Sequence, residues 1–373
     1  MLKVFLLPDS FKGSLTSSQV SDAIRKGIKS VITDVEIISY VIADGGEGTV
    51  DAFVSAVNGS KSKYDTVDAY LKPIKVEVGI LDQSTVVIEV ASVVGLNMYD
   101  ITKRNVLKAT SYGVGVLLSK LKDEGYRNII IGLGGSCTND GGMGLLQALN
   151  WRFFDDNDEL LPPQALSLAK IKRIDNTGVI DMSGINLIVA SDVDNPLLGS
   201  NGATMIYGPQ KGANKQVLEQ LEYGMRNYVE VMKELGLMID RAKGAGAAGG
   251  LGAALIGVLK ADKHLGIDLL LQYIQLESKL DNNCVVISGE GKTDSQSLMG
   301  KVVSGIANIT KKRNVPFYLI SGCVDLDDLS LNKLEVKKAY AIRDIAINDQ
   351  DSFINAYELI INVAKTLAST YLI

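Results

Sequence analysis

The sequence predicts an α/β protein with two domains: a discontinuous, Rossmann- or flavodoxin-like doubly wound domain and a second, mixed α/β domain inserted into it. At both ends of the chain, a short apolar run is followed by a polar loop and then by a helical pattern. Between Tyr64 and Ala91 the pattern changes to an alternation of apolar and polar residues, which is typical of antiparallel strands. The length of 373 residues exceeds what one hydrophobic core usually holds. We therefore expect residues 1–63 and 285–373 to form the outer domain and residues 64–284 the inserted one.

The amino-terminal part of the chain predicts two strand–loop–helix units. Val4–Leu7 is an apolar strand, and the Thr16-Ser17-Ser18 segment offers N-caps for a helix that ends near Ile28. A second strand is expected at Val35–Ile42 and a second helix at Val50–Val57. Each strand is followed by a polar loop that contains glycine.

The middle of the chain predicts a hairpin region followed by further α/β elements. Antiparallel strands are expected at Tyr64–Val67, Ile74–Val78 and Val86–Val90. The elements expected after them, in chain order, are a strand at Ile129–Ile131, a helix at Met143–Leu149, a strand at Leu187–Ala190, a helix at Val217–Leu235, an apolar helix opened by Gly244–Gly250 and ending near Leu259, strands at Cys284–Ser288, Pro316–Ile320 and Ala339–Ile342, and helices at Val302–Lys312 and Phe353–Thr370.

Composition excludes several classes of function. The net charge is −5 and there is no long basic cluster, which argues against nucleic acid as a partner. No apolar run reaches transmembrane length, and Pro8-Asp9 interrupts the first apolar run too early for a signal peptide. The three cysteines lack metal-ligand spacing. We therefore expect a reduced, cytoplasmic protein that is not bound to a membrane.

The most informative segment is Ile129–Gly144, where a buried β-branched strand stops in a loop rich in glycine. Six glycines surround Ser136, Thr138, Asn139 and Asp140 in this segment. Glycine lets the backbone approach a ligand closely, and backbone N–H groups after a strand bind anions. The density of glycine and short polar residues exceeds what a turn requires, so we interpret Gly134–Gly142 as an anion-binding loop.

Four other polar loops follow predicted strands. The carboxyl ends of parallel strands meet at one edge of a sheet, so these loops are expected to converge. Turn and cap chemistry is the alternative for any single loop, and an exposed loop lysine is the equal alternative for Lys211. The four loops are Asp9–Ser14, Asp44–Thr49, Asp192–Asn195 and Gly289–Asp294.

Familiar nucleotide and nucleophile motifs are weak or absent. Gly244-x-Gly246-x-x-Gly249 matches the dinucleotide pattern by letter, but no predicted strand precedes it, and close helix packing explains it as well as an anion site. It supports the alternative function, an NAD(P)-dependent oxidoreductase of a small hydroxy acid. There is no Walker A sequence, and the single histidine, His264, lies in a polar stretch. What remains, carboxylates and lysines around glycine-rich loops, favours phosphoryl transfer to a small alcohol.

Taken together in order, six segments resemble the bacterial glycerate kinase family of the first type. The resemblance covers nearly the whole chain, and six segments in order are far more specific than one. They read PDSFKGS from Pro8, ADGGEGT from Ala43, GGSCTNDGG from Gly134, ASDVDNPL from Ala190, GPQKG from Gly208 and GEGKTD from Gly289.

The resemblance implies transfer of the γ-phosphoryl group of ATP to D-glycerate, and it favours 2-phosphoglycerate over 3-phosphoglycerate. Mg²⁺ is the expected metal, because carboxylates hold it at phosphate oxygens. It also implies two α/β domains, one discontinuous, with the site in the cleft between them. The family pattern usually has arginine where Lys292 stands, and lysine cannot form a bidentate fork with a phosphate or carboxylate.

Roles for individual residues follow from the resemblance. Asp192 is the candidate that orients or deprotonates the glycerate hydroxyl, with an Asx turn as the alternative. Lys12 and Asp44 complete the catalytic set, and Asp44 and Glu47 are the candidate Mg²⁺ ligands. The residues assigned to substrate or nucleotide binding are Ser10, Glu47, Gly134, Gly135, Ser136, Thr138, Asn139, Lys211, Glu290, Lys292 and Asp294.

Overall fold

The structure is a computed structural model that describes residues 1–43, 45–298 and 301–373. The candidate Asp44 lies outside these residues. The chain forms two compact units: Met1–Asp44, Asp51–Asn58 and Leu265–Ile373 make up the first, and Gly45–Val50 and Gly59–His264 the second. Each unit combines helices with a sheet, which confirms the predicted mixed α/β class.

The strands have the following bounds along the described chain. They are β1 (Leu2–Pro8), β2 (Val35–Ser39), β3 (Ser60–Val67), β4 (Pro73–Ile80), β5 (Thr85–Glu89), β6 (Asn128–Gly132), β7 (Arg152–Phe154), β8 (Arg173–Asp175), β9 (Asn186–Ala190), β10 (Asp262–His264), β11 (Cys284–Gly289), β12 (Lys292–Thr293), β13 (Phe317–Ser321), β14 (Cys323–Val324) and β15 (Val336–Ala341).

The α-helices have the following bounds along the described chain. They are α1 (Ser17–Lys29), α2 (Thr49–Val57), α3 (Val90–Val94), α4 (Tyr112–Asp123), α5 (Met143–Ala148), α6 (Ala203–Tyr207), α7 (Lys215–Glu234), α8 (Gly266–Ile274), α9 (Leu276–Lys279), α10 (Val302–Arg313), α11 (Asp328–Lys333), α12 (Asp349–Ile354) and α13 (Ala356–Tyr371).

The first unit is built on a parallel five-stranded sheet in the order β15-β13-β11-β1-β2. When the five strands of this sheet are numbered in chain order, the spatial order is 5-4-3-1-2. Strands β1, β11 and β13 are almost wholly buried, as expected for a sheet that is covered on both faces. On one face, Val4, Leu6 and Ile287 belong to a core shared with α1 and α13. Gly27 of α1 permits close packing there, because an added Cβ would lie 2.6 Å from Ala364 Cβ.

The second unit is built on a mixed six-stranded sheet in the order β10-β9-β6-β5-β4-β3. Strands β5, β6, β9 and β10 are parallel, whereas β3, β4 and β5 pair as antiparallel neighbours. The core includes Ile129 and Ile131 from the predicted β-branched strand, together with Phe153 and Tyr228. The predicted hairpin region therefore forms one side of a sheet whose other strands are parallel.

The structure differs from several sequence expectations in detail. Ser60–Lys63 pair with β4 and so belong to the second unit, whereas residues 265–284 belong to the first, where α8 and α9 pack on α10. Strand β2 ends at Ser39 rather than Ile42. The predicted helix Phe353–Thr370 is divided at Asn355, which lies between α12 and α13; its N–H donates to the Asp351 carbonyl at 2.9 Å and its side chain donates to Asp351 Oδ1 at 2.6 Å.

Local chemistry accounts for the beginning of α1. The Thr16 hydroxyl accepts from the Gln19 N–H, and the Gln19 side chain accepts from the Thr16 N–H, which forms a capping box.

Within the described ranges, none of the helices is long and apolar enough to cross a membrane.

Candidate functional site

A cavity of about 520 Å³ lies in the first unit, at the carboxyl ends of its parallel strands. Residues that follow β1, β11, β13 and β15 line it, together with the beginning of α10 and part of α12. Its volume is in the range of pockets that enclose a whole drug-sized ligand, about 300–1,000 Å³. The predicted site residues that line it are Ser10, Lys12, Glu290, Lys292 and Asp294.

Backbone hydrogen bonds join the strand ends at this cavity. The Gly322 N–H donates to the Glu290 carbonyl at 3.0 Å, and the Cys323 N–H donates to the Gly291 carbonyl at 3.1 Å. Glycine is required at position 322, since an added Cβ would lie 2.3 Å from the Gly291 oxygen. The Arg343 N–H donates to the Gly322 carbonyl at 3.1 Å. These bonds fix the wall of the cavity.

Cationic side chains line the cavity beside carboxylates. Lys292 Nζ lies 3.2 Å from Asp325 and 3.6 Å from Asp294, and the hydrogen bond to Asp325 raises the pKa of the Lys292 ammonium. Lys301 Nζ donates to the neutral Gln296 Oε1 at 2.8 Å. Such cations can neutralise the charge of phosphate groups. The cationic residues that line the cavity are Lys12, Lys292, Lys301 and Arg343.

Glu290 carries a buried carboxylate oxygen at this wall. Burial raises the pKa of the Glu290 carboxyl; the hydrogen bond with the Ser297 side chain and the charge of Lys301 oppose this shift, whereas the charges of Asp9 and Asp294 add to it. Its Oε1 atom is buried, and among the residues that the structure describes it has no hydrogen-bond partner. Leaving a buried acceptor unsatisfied costs about 1–3 kcal/mol. A ligand that donates a hydrogen bond would remove this cost.

The glycine-rich loop of the second unit surrounds a buried lysine. Lys211 is only 2% exposed, which rules out the alternative of an exposed loop lysine. Its ammonium donates to the Thr138 carbonyl at 2.6 Å and to Ser136 Oγ at 3.1 Å. Burial lowers the pKa of Lys211 to about 8. Both of these partners are neutral oxygens, so a bound anion would supply the negative charge that the Lys211 ammonium lacks here.

Asp140, which is not among the predicted site residues, accepts hydrogen bonds that hold the same loop. This fully buried carboxylate accepts from the Ser111 N–H at 2.7 Å, from the Gly142 N–H at 3.3 Å and from the Gly144 N–H at 3.2 Å. Burial raises the pKa of Asp140, whereas these hydrogen bonds oppose the shift. Its position beside Gly141-Gly142 was the available signal, since successive N–H groups in such turns attract a carboxylate.

The remaining predicted residues of this loop are held by the surrounding backbone and side chains. Asn139 is fully buried and its amide donates to Thr204 Oγ1 at 2.9 Å. The Gly134 N–H donates to the Gly45 carbonyl at 3.0 Å, and Gly135 adopts a φ of +72° that favours glycine. These hydrogen bonds hold the loop, in which Ser136 and Thr138 contact Lys211.

Asp192 follows the parallel strand β9 in the second unit and is partly buried. Two residues later, Asp194 forms ion pairs with Lys243 and Lys263, each at 2.8 Å. The Val193 N–H donates to Ser191 Oγ at 3.3 Å, so this turn is closed by a serine. The position of Asp192 at a strand end agrees with the sequence expectation.

The candidate metal ligand Glu47 is exposed, and its Oε2 accepts from Asn97 Nδ2 at 3.1 Å. The other candidate, Asp44, is not among the described residues. Within residues 1–43, 45–298 and 301–373, no group of three or more histidine, cysteine, aspartate and glutamate side chains is arranged to hold a metal ion. The three cysteines are free thiols.

The segment that resembles a dinucleotide motif is used for close packing. No strand directly precedes Gly244 in the described chain. An added Cβ at Gly249 would lie 1.9 Å from the Thr138 carbonyl oxygen, and one at Gly246 would lie 2.2 Å from the Pro196 carbonyl oxygen. These glycines are explained by contact with neighbouring backbone. His264 is exposed at the end of β10, so nothing about it suggests a nucleophilic triad.

The cavity of the first unit is also lined by residues that were not predicted from the sequence. Arg343 follows β15, in a segment without the glycines that mark the predicted loops. Phe353 was assigned only to a helix. The signal for Arg343 is its position just beyond the carboxyl end of the last parallel strand, β15, whereas Phe353 lies further on, in α12. The missed residues that line the cavity include Lys301, Cys323, Ile342, Arg343 and Phe353.

Comparison with known proteins identifies the family. The model of the glycerate kinase family matches residues 4–372. A glycerate kinase of Bacillus subtilis is 37% identical over 99% of this chain and 97% of its own length, and a glycerate 2-kinase of Escherichia coli is 37% identical over 99% and 98%. A crystal structure of a putative glycerate kinase 2 from Salmonella typhimurium LT2 has a TM-score of 0.83 at 34% identity, covering 99% of this chain and 98% of that one.

The chain belongs to the glycerate kinase family. It is therefore a kinase, an enzyme that transfers a phosphoryl group. The resemblance noted in the sequence is confirmed over the whole chain. The alternative of an NAD(P)-dependent oxidoreductase has no support, either in these comparisons or in the packing of the Gly244–Gly250 segment.

Proposed function

We propose that this protein transfers the γ-phosphoryl group of ATP to a hydroxyl group of D-glycerate. The observation that supports it most is the cavity of the first unit, where lysines and carboxylates lie together at the ends of parallel strands. Phosphoryl transfer needs positioned cations more than it needs covalent chemistry by the protein. The buried Lys211 ammonium and the glycine-rich loop around it offer a second anion site, suited to the glycerate carboxylate.

The proposed reaction has a simple balance. The glycerate hydroxyl oxygen forms a bond to the γ-phosphorus, and the bond from that phosphorus to the β–γ bridging oxygen breaks, so that ADP leaves with the electron pair. The carboxylate of Asp192 orients the hydroxyl and accepts its proton late in the transfer. Lys12, Ser10, Lys292 and Asp294 contact the nucleotide phosphates or their counter-ions. We propose 2-phosphoglycerate as the product, in keeping with the name of the Escherichia coli relative.

We propose Mg²⁺ as the metal that accompanies ATP. Mg²⁺ keeps several waters and binds through one or two carboxylates and the phosphates of the substrate, so it does not require a cluster of three protein ligands. Glu47 offers an exposed carboxylate oxygen of the right chemistry, and Asp44 is its proposed companion. When bound, Mg²⁺ would neutralise phosphate charge.

We propose further that the first unit is a doubly wound, flavodoxin-like domain. Its strand order of 2-1-3-4-5, read from β2, supports this, as does the burial of both faces of its sheet. A cytoplasmic location also stays a proposal, in line with the reduced state expected for the cysteines.

The proposed function is tested by identifying the product. Purified protein is incubated with ATP, MgCl₂ and D-glycerate, and the phosphoglycerate is identified by ³¹P and ¹H NMR. We expect 2-phosphoglycerate and ADP in equal amounts, with no reaction when D-glycerate or Mg²⁺ is left out. ATP binding without formation of phosphoglycerate would refute the proposed activity, and 3-phosphoglycerate would refute the proposed position of transfer.

A further inference from the structure

We propose that the cavity of the first unit binds the nucleoside part of ATP, with Phe353 stacking on the base and Glu290 accepting hydrogen bonds from the ribose hydroxyls. This inference rests on the proposed function, because it assigns one of the two substrates to one site. Four observations support it: the size of the cavity, its position in the sheet, the setting of Phe353 and the buried oxygen of Glu290.

The cavity is large for a three-carbon acid and suited to a nucleotide. Its volume of about 520 Å³ lies well inside the range for ligands of drug size. It also lies where β1 and β11 are neighbours, which is the point where the strand order of the sheet reverses. Ligands of open α/β sheets bind outside the carboxyl ends of the strands at such a point.

Phe353 provides an aromatic surface at this cavity. The residue lines the cavity and is 60% exposed, so much of its ring is available to a ligand. Its backbone is held in place, because Ser14 Oγ donates to the Phe353 carbonyl at 2.7 Å. The ion pair from Arg343 Nε to Asp349 Oδ1, at 2.8 Å, holds the beginning of the same helix, α12. Ile342, which is buried, adds an apolar surface.

Glu290 is placed to contact the ribose of the nucleotide, and the cationic side chains are placed to contact its phosphates. The buried Glu290 Oε1 can accept from a ribose hydroxyl, which is the role that an acidic residue takes in many nucleotide sites. Lys12 and Lys301 line the same cavity and are suited to the phosphates. Val302 begins α10 at the cavity, and the positive end of a helix dipole favours phosphate there.

The first test measures binding without turnover. The dissociation constant of Mg-ATP is measured by isothermal titration calorimetry, in the absence of D-glycerate, for wild type, Phe353→Ala and Phe353→Tyr. Ile354→Ala is the matched control, because Ile354 is 70% exposed and is not among the residues that line the cavity. Inorganic tripolyphosphate, which has no base, is titrated against the same proteins.

We expect Phe353→Ala to weaken ATP binding about tenfold, since stacking on an aromatic ring gives a loss of that size. Phe353→Tyr and Ile354→Ala should stay close to wild type, and tripolyphosphate should bind Phe353→Ala as it binds wild type. An unchanged ATP affinity in Phe353→Ala would overturn the assignment, as expected if a protein partner covers this ring instead. Equal weakening of ATP and tripolyphosphate would overturn it as well.

A second test addresses Glu290 and does not depend on the first. Wild type should bind ATP several times more tightly than 2′,3′-dideoxy-ATP, and Glu290→Gln should reduce this preference, because a neutral amide accepts a weaker hydrogen bond than a carboxylate. A preference that is the same in both proteins would refute the ribose contact. These binding results are independent of the product assay. If Phe353→Ala weakens ATP binding as expected but wild type forms no phosphoglycerate, the proposed activity is contradicted and the proposed nucleotide site still stands.

Discussion

The buried ammonium of Lys211 predicts how the stability of the second unit depends on pH. We consider Lys211→Met, which keeps the length of the side chain and removes its charge. Burial lowers the pKa of Lys211 from 10.5 to about 8. Between these values the unfolded chain holds more protons at this position than the folded chain does, so the free energy of unfolding of wild type rises with pH.

The size of the effect follows from the shift in pKa. The pKa of the folded state, about 8, lies about 2.5 below the ordinary value of 10.5, and at 1.36 kcal/mol for a tenfold change this corresponds to about 3 kcal/mol. The variant lacks this group, and the other lysines and tyrosines titrate in both proteins. The difference in unfolding free energy, wild type minus Lys211→Met, should therefore rise by up to about 3 kcal/mol from about pH 7.5 to about pH 10.5.

The assay is urea unfolding followed by the fluorescence of Trp151. This is the single tryptophan of the chain, it is buried, and it belongs to the second unit, so it reports the unfolding of the unit that contains Lys211. Lys215→Met, at an exposed lysine nearby, is the control and should give a difference that does not change with pH. If the difference in unfolding free energy between wild type and Lys211→Met does not change with pH, burial does not lower the pKa of Lys211 and the prediction is refuted.

Two further predictions concern the proposed proton acceptor and the packing of the glycine-rich segment. Asp192→Asn is expected to lower kcat by at least about a hundredfold, with an unchanged circular dichroism spectrum and Tm, because the amide cannot accept the proton; turnover at the wild-type rate would remove Asp192 from the chemistry. Gly249→Ala is expected to lower Tm by many degrees in a thermal melt, since its φ of +69° disfavours alanine and the new Cβ would lie 1.9 Å from the Thr138 carbonyl oxygen. The control Gly184→Ala, where an added Cβ would meet nothing within 4 Å, should leave Tm almost unchanged, and equal melts for the two variants would contradict this packing.

The sequence located the strands that present the site because their signal is local. The β-branched run at Ile129–Ile131 and the apolar run at Val4–Leu7 each lie inside an observed strand, and the Thr16 cap begins a helix as expected. The glycine-rich loops also follow these strands as predicted. Periodicity, capping and turn chemistry act over a few residues, so they can be read without knowing the neighbours in space.

The sequence alone determined the α/β class, the order of most elements and the positions of the glycine-rich loops that we propose as anion sites. Only the tertiary structure decided that Lys211 is buried against Ser136 and Thr138, because burial depends on segments that lie far apart along the chain. It likewise decided that the glycines after Gly244 serve close packing. Phe353 and Arg343 reach the cavity for the same reason: they follow β15, whose carboxyl end lies at the same edge of the parallel sheet as the loops after β1 and β11.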